Sequence, residues 1–202
     1  MQLNINRTAL VLLHFQRDIC SPEGRLAPND PDALARYGAA IERTGQLLAV
    51  ARKARLAIIH SAFGRTREGH FANRYGRMLA WIYQAGGCIE GEDGHSFVEQ
   101  LRPLADEAIV RGSGLSAFGD SSFAEVLKQV GKETLLVTGI TTHWAVEGTV
   151  RIAADLGYDC VVASDCVASA VPENHNGAME RLAFIARIVA SEDVIEALLK
   201  AD

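Results

Sequence analysis

Three short segments of this chain carry side chains that could transfer protons or hold an anion. His14 and Gln16 lie at the end of the apolar run 8–15, and an imidazole can accept or donate a proton near neutral pH. Arg111 ends a second apolar run, and its guanidinium could hold a carboxylate or stabilise a developing oxyanion. Segment 141–145 follows a third apolar run. Together they indicate a site for a small polar or anionic molecule.

The third segment has the pattern of a buried strand, a tight turn and the start of a helix within residues 134–155. Thr141 and Thr142 are natural caps for that helix. A helix that begins at the carboxyl end of a parallel strand directs unpaired N–H groups towards the place where α/β sheets bind ligands. An ordinary strand–helix unit has the same pattern, and the next residues, His143 and Trp144, could line either a ligand pocket or a subunit contact.

Each candidate residue also has a purely structural interpretation. His14 could hydrogen-bond a neighbouring carbonyl, and Arg111 could pair with an acid such as Asp18. Residues 63–95 mix charged and aromatic side chains without a clear period, which predicts an irregular lid or interface arm. Five side chains of this arm could face a substrate or a second subunit, although scattered loop charges are usually solvated: Arg65, Arg67, His70, Arg74 and Trp81.

Six apolar runs alternate with helical patterns along the chain, which predicts a single α/β domain of three layers around a parallel sheet of about six strands. The predicted strands are 8–15, 56–61, 108–111, 134–138, 158–163 and 187–190. The predicted helices are 32–53, 121–130, 173–184 and 193–200, with a further helix beginning near Thr141. Parallel strands bring their carboxyl ends to one edge, so we expect His14, Arg111 and 141–145 to line one common cavity.

Composition excludes several classes of partner. A net charge of −5 without a Lys/Arg cluster argues against nucleic acid, and no segment approaches the roughly 20 apolar residues of a membrane helix. The first seven residues lack the pattern of a signal peptide, so a cytoplasmic protein is expected. The four cysteines have no C-x-x-C spacing, which favours reduced thiols over a zinc or dithiol site: Cys20, Cys88, Cys160 and Cys166.

Three motifs, in order, resemble the isochorismatase-like hydrolases, also called cysteine hydrolases, over nearly the whole chain. Residues 8–18 are similar to the family's opening strand, in which apolar residues lead to an Asp, one more residue and a Gln. Residues 139–151 resemble its Gly-x-x-Thr-x-x-Cys-Val segment, and 157–166 resemble the strand and Asp that follow. The resemblance implies a Rossmann-like fold, hydrolase chemistry on a small molecule, and a homo-oligomer that is a dimer or tetramer.

The chain departs from the family at the catalytic positions. By resemblance, the family's Asp falls on His14, its Lys on Arg111 and its nucleophilic Cys on Ala145. An alanine methyl cannot form a covalent intermediate, so the usual thiol route is excluded. The family's oxyanion hole would use the N–H groups of Thr141 and Ala145, with a non-proline cis peptide bond between Ile140 and Thr141.

The resemblance also bears on metals and cofactors. The metal ligands of the nicotinamidase branch would lie near Ala62 and Gly64, where this sequence offers no ligand pair. We therefore predict neither a metal nor another cofactor.

Two classes of function follow. The first is a hydrolase that uses His14 and Arg111 without a thiol step, since some family members that lack the Cys cleave a vinyl ether by proton transfer and water attack, although they keep the Asp. The second is a non-catalytic binding or subunit-interaction module. A Cys-to-Ala engineered variant would explain one of the three changes. In either class, five residues are expected to contact the ligand: Gln16, Thr141, Thr142, His143 and Trp144.

Overall fold

Six parallel strands form one sheet in the computed structural model, which describes residues 3–66, 68 and 76–200. The strands are β1 (Thr8–Leu13), β2 (Ala57–Phe63), β3 (Ala108–Gly112), β4 (Thr134–Ile140), β5 (Asp159–Ala168) and β6 (Arg187–Val189). Their order in the sheet is β3-β2-β1-β4-β5-β6. The predicted three-layer α/β architecture with a six-stranded parallel sheet is confirmed.

The described residues contain seven α-helices: α1 (Arg17–Cys20), α2 (Pro31–Lys53), α3 (Arg77–Ala85), α4 (Phe123–Val130), α5 (Glu147–Asp155), α6 (Pro172–Leu182) and α7 (Ser191–Leu199). None of these helices is long and apolar enough to cross a membrane. The expectation that 63–95 is irregular throughout is wrong for α3. That helix has nine residues between Gly76 and Gly86, too few for its period to stand out in a longer mixed segment.

Two apolar layers cover the faces of the sheet, because side chains alternate along each strand. Leu10 and Leu12 of β1 belong to one layer with Leu47 of α2. Val11 belongs to the other layer with Val150 of α5. Burial of each such side chain contributes about 1.5–3 kcal/mol. The central strands are therefore rigid supports for whatever lies at their carboxyl ends.

The turn after β4 brings a helix start close to the end of β1. A Cβ atom on Gly139 would lie 2.6 Å from the Cβ of Leu13, so only glycine allows this approach. The peptide bond between Ile140 and Thr141 is cis, as the resemblance implied. A π-helical turn, Thr142–Val146, then leads directly into α5. The backbone of this turn forms one wall of the candidate site.

Candidate active site

One small cavity lies between the carboxyl ends of β1 and β4, with a volume of about 110 Å³. We call it the inner cavity. His14, Thr141 and Ala145 line it, as predicted, and the remaining lining residues are mainly apolar: Ile19, Leu26, Tyr37, Phe63, Met78, Trp81, Ile82, Leu115, Ile140 and Trp144. The described lining of the inner cavity thus combines His14, Thr141 and Tyr37 with a largely apolar wall.

His14 is buried, and its backbone has a left-handed conformation, with a φ of 57°. Its N–H donates to the carbonyl of Ser61 at 2.9 Å, and its own carbonyl accepts from the N–H of Gln16 at 2.8 Å. The ring contacts Phe63 edge to face, with 6.0 Å between centroids. Burial lowers the pKa of His14 from 6.5 to about 4. The imidazole is therefore neutral at neutral pH and able to accept a proton.

Ala145 is 2% exposed and presents a methyl group where the family resemblance places a thiol. The N–H groups of Trp144 and Val146 both donate to the carbonyl of Thr141, at 3.3 and 3.2 Å, which holds the π-helical turn in shape. The hydroxyl of Thr142 lies 2.9 Å from Nδ1 of His175 in α6. Thr142 therefore attaches the turn to α6 and does not line the inner cavity.

Arg111 does not line the inner cavity, so the expectation of one common cavity is wrong for this residue. Val110 packs into the apolar layer on one face of β3, and the side chain of Arg111 therefore lies on the opposite face. There it lines an open lateral cleft of about 1470 Å³ with Glu107 and Ile109. Its proposed partner Asp18 instead accepts from the N–H of Cys88, at 2.6 Å, and from another backbone N–H.

Gln16 also lies outside the inner cavity, although we expected it to contact the ligand. Its Nε2 donates to the carbonyls of Phe63 and His95, at 2.7 and 3.0 Å. Its Oε1 accepts from the N–H of Phe63 at 2.8 Å. Both the NH2 group and the oxygen of the side-chain amide are thus bonded to backbone groups. Gln16 therefore connects the end of β1 to β2 and to His95.

The predicted arm contributes part of the inner cavity. Trp81 of α3 lines the cavity and is half exposed. Arg65 is buried, with its guanidinium 4.2 Å from the centre of the Tyr83 ring. Arg67, His70 and Arg74 lie outside the described residues.

A second space, the outer cleft, lies on the other side of Trp144 and has a volume of about 610 Å³. His143 and Trp144 line it with Leu79, Ser113, Gly114, Leu115, Ser116, Gly119, Asp120, Glu147, Gly148, Arg151 and Ile152. Nδ1 of His143 lies 2.8 Å from Oγ of the buried Ser169. Trp144 and Leu115 line both spaces.

A carboxylate shared by two arginines joins α5 to α6 below the outer cleft. Oε1 of Glu147 accepts from Nε of Arg181 at 2.7 Å, and Oε2 accepts from its Nη2 at 2.8 Å. Nη2 of Arg151 also donates to Oε1, at 2.9 Å. The hydrogen bond from Arg181 is the main reason why the pKa of Glu147 is lowered. Sequence reasoning missed this cluster, although the i,i+4 spacing of Glu147 and Arg151 was a visible signal.

A second buried ionic group stabilises the face of the sheet that carries Arg111. Glu107 accepts from Nε of Arg52 at 2.7 Å and lies 2.9 Å from Nε2 of the fully buried His60. Burial alone would raise the pKa of Glu107, but its bonds to Arg52, His60 and the N–H of Leu104 lower it to about 2. We interpret this group as structural, because it ties α2 to the edge of the sheet.

Two further observations concern possible metal ligands and thiols among the described residues. No group of three or more His, Cys, Asp and Glu residues there could hold a metal ion. The four cysteines are free and buried. Burial raises the pKa of each thiol, to about 11 for Cys160 and about 12 for Cys166. Such thiols are poor nucleophiles.

Comparison with known proteins adds to this geometry. Residues 8–193 match the profile of the isochorismatase domain. The chain is 34% identical over 199 residues to the uncharacterized isochorismatase family protein YecD of Escherichia coli O157:H7, covering 98% of this chain and 100% of that protein. It is 26% identical over 172 residues to maleamate amidohydrolase of Pseudomonas putida, covering 84% and 76%. A solved cysteine hydrolase from Pseudomonas syringae pv. phaseolicola has the same fold, with a TM-score of 0.89 at 20% identity over 100% of this chain and 97% of that one.

Proposed function

The chain belongs to the isochorismatase family, and on that premise we propose that it is a hydrolase in which His14 transfers the proton and no thiol takes part. The observation that carries the proposal is the shared cavity of His14, Thr141 and Ala145. A neutral imidazole there faces the start of a helical turn whose N–H groups can stabilise negative charge. These are the components needed for direct attack of water on a carbonyl.

In the proposed reaction, the substrate carbonyl lies against Ala145, with its oxygen directed at the N–H groups of Thr141 and Ala145. His14 accepts a proton from water as the water oxygen forms a bond to the carbonyl carbon. The resulting oxyanion is stabilised by the two N–H donors. When the intermediate collapses, the bond to the leaving group breaks, and His14 returns its proton to that group. The ring is then neutral and ready for another cycle.

The walls of the inner cavity favour a small neutral substrate. Its volume of about 110 Å³ suits a molecule of a few heavy atoms, and its described lining is mostly hydrocarbon. Burial keeps His14 neutral and raises the pKa of Tyr37 to about 12, so that side chain is also uncharged. Arg111, the cation that we expected to strengthen the preference of the helix start for an anion or a polarised carbonyl oxygen, lies elsewhere. We therefore propose a neutral amide or ester as substrate class, in place of an anion.

A panel of small neutral amides and esters tests this proposal with two matched variants. Asparagine tolerates the left-handed backbone at position 14, so His14→Asn removes the imidazole with little strain. We expect kcat/KM to fall by about 10²–10⁴-fold, the usual contribution of a general base. Arg111→Gln should change kcat/KM by less than about twofold, because Arg111 does not line the inner cavity. Equal activity of His14→Asn and the unmodified protein would contradict the proposal.

A non-catalytic binding module is the second candidate function, and one observation favours it. A base with a pKa of about 4 is weak at neutral pH, where general-base catalysis works best with a pKa near the working pH. The same panel separates the two candidates. If the protein is a binding module, some panel compounds should raise its melting temperature, and none should be turned over.

We also propose that the protein is a homo-oligomer with contacts from α3. Trp81 is 50% exposed and Tyr83 is 46% exposed, and both belong to this helix. Large exposed aromatic side chains are typical of subunit contacts. Light scattering should give the mass of a dimer or tetramer, whereas a concentration-independent monomer would contradict this proposal.

A further inference from the structure

Part of the wall of the outer cleft is apolar, and two of its apolar residues, Trp144 and Leu115, also line the inner cavity. Trp144 is 40% exposed, and its ring lies 5.2 Å from that of His143. Leu115 and Ile152 extend the apolar surface beside it. A half-exposed tryptophan between aliphatic side chains can hold the face of a planar ring, because stacking and apolar burial act together.

Glu147, Arg151 and Arg181 form a charged group at the outer cleft that contains two arginines and one carboxylate. Glu147 receives two hydrogen bonds from Arg181, one on each carboxylate oxygen, and two from Arg151, both on Oε1, so one carboxylate serves two guanidinium groups. The trio has one surplus positive charge. Arg151 lines the outer cleft and its side chain is 50% exposed. Arg181, which is 53% exposed, occupies both carboxylate oxygens and is not among the described residues that line the cleft. The surplus charge is therefore available to an anion at Arg151.

His143 supplies a positioned polar group next to this cation. Its Nδ1 is held by the hydroxyl of Ser169, which is 1% exposed. Nε2 is thus the ring nitrogen that remains for a ligand. If the Ser169 hydroxyl donates to Nδ1, the ring proton lies on Nε2, which then acts as a donor.

From these contacts we propose that the outer cleft is a binding site for a planar aromatic carboxylate, separate from the inner cavity. The ring lies against Trp144, and the carboxylate accepts from Arg151 and from Nε2 of His143. Asp120 also lines the cleft, and its Oδ2 accepts from Oγ of Ser113 at 2.7 Å. This second carboxylate opposes an anionic ligand, so its removal should strengthen binding.

Benzoate and its neutral analogue benzamide test the proposal by isothermal titration calorimetry. The two probes have the same ring, and only benzoate is charged. Benzoate should bind about fivefold more tightly than benzamide, the factor that a partly exposed ion pair provides. Equal affinity for the two probes, or no detectable binding of benzoate, would overturn the proposal.

Two variants that should change the benzoate affinity in opposite directions then locate the site. Arg151→Gln should weaken benzoate about fivefold, because the surplus charge is removed while Arg181 still holds Glu147. Asp120→Asn should strengthen benzoate by about two- to threefold. It keeps an acceptor for Ser113, and asparagine tolerates the φ of 49° at this position.

Two control variants complete the design. Arg102→Gln removes an exposed arginine that pairs with Glu99 three residues away, and it should leave benzoate affinity unchanged. His14→Asn should also leave benzoate affinity unchanged, so that failure of the proposed hydrolysis and failure of this inference are distinguishable. If Arg151→Gln and Asp120→Asn both leave the affinity unchanged, benzoate does not bind in the outer cleft and the inference is wrong.

Discussion

The inner cavity and the outer cleft share Trp144 and Leu115, yet they differ in charge. The described wall of the inner cavity is mostly hydrocarbon around one neutral imidazole, whereas the outer cleft carries Arg151 and Asp120 at its rim. A desolvated cavity disfavours an ion that has no partner of opposite charge, and a wet cleft tolerates one. The two spaces therefore suit different ligands, although they share two lining residues.

The π-helical turn between the two spaces is fixed from the side of the outer cleft. Thr142 is bonded to His175, and His143 to Ser169. Directly after the turn, Glu147 of α5 accepts a hydrogen bond from Arg181. The π-helical turn is thus held in place by the β5–α6 segment, and in the proposed reaction its backbone N–H groups are the donors to the oxyanion. Rigid donors of this kind can stabilise a developing charge without reorganisation.

Placing the family's thiol in the inner cavity, together with the family's Asp, should produce the largest change, which is expected in kcat/KM for amides. Ala145→Cys alone should not give an efficient amidase, because burial in an apolar cavity raises the pKa of a thiol and His14 is a weak base. The double variant His14→Asp with Ala145→Cys should exceed it by about 100-fold in kcat/KM on the same amide panel. Family-level activity from Ala145→Cys alone would contradict our view of the inner cavity.

The pH dependence of stability should reveal the buried His14. An unfolded chain binds a proton at this residue below pH 6.5, whereas the folded chain does so only below about pH 4. This group therefore leaves the free energy of unfolding unchanged above pH 6.5 and lowers it as the pH falls from 6.5 to about 4. The loss should approach about 3 kcal/mol. Urea unfolding should show this slope in the unmodified protein and a weaker slope in His14→Asn, and equal slopes would count against burial of a neutral imidazole.

Removal of the shared carboxylate should affect stability and binding in opposite directions. Glu147→Gln leaves two guanidinium groups without a counter-charge, so the free energy of unfolding should fall by roughly 2 kcal/mol. The added positive charge at the outer cleft should strengthen benzoate by about threefold. Denaturant unfolding and calorimetry measure the two effects. A fall in both the free energy of unfolding and the benzoate affinity would contradict the view that the charge of Glu147 opposes benzoate binding.

Ser169→Ala should have the smallest effect. The variant removes the hydroxyl that holds Nδ1 of His143, which costs about 1 kcal/mol of stability. Benzoate affinity should fall about twofold as the ring loses its orientation. Turnover of neutral amides should fall by less than about twofold, because the bonds of Thr142 to His175 and of Glu147 to Arg181 still hold the π-helical turn. A larger effect on turnover than on benzoate affinity would show that His143 serves the inner cavity and not the outer cleft.

The alternation of apolar runs and helical patterns was enough to predict the sheet, because period is a local property of the chain. Boundaries failed where polar residues have long-range partners. The predicted fifth strand stopped at residue 163, whereas β5 continues to Ala168. Asp165 interrupts the apolar run, yet in the structure it accepts from the N–H and hydroxyl of Ser191, at 2.8 and 2.6 Å. A partner 26 residues away leaves no local signal.

The site was predictable only as far as strand order determines it. The carboxyl ends of β1 and β4 are adjacent, so the approach of His14 to Ala145 followed from topology. The orientation of Arg111 did not, because a shift of one residue reverses the face of a strand. Gln16 matched a motif, but its bonds to Phe63 connect residues 47 positions apart. Such pairings depend on the folded backbone and not on spacing.

A single NMR titration tests most directly whether the two spaces are separate sites. Long-range proton–nitrogen spectra resolve the imidazole of each histidine, and acetamide and benzoate serve as probes for the inner cavity and the outer cleft. We predict that acetamide shifts the signals of His14 and leaves those of His143 unchanged, while benzoate does the reverse. If both compounds shift the same histidine, the inner cavity and the outer cleft act as one site, and their assignment to different ligands is wrong.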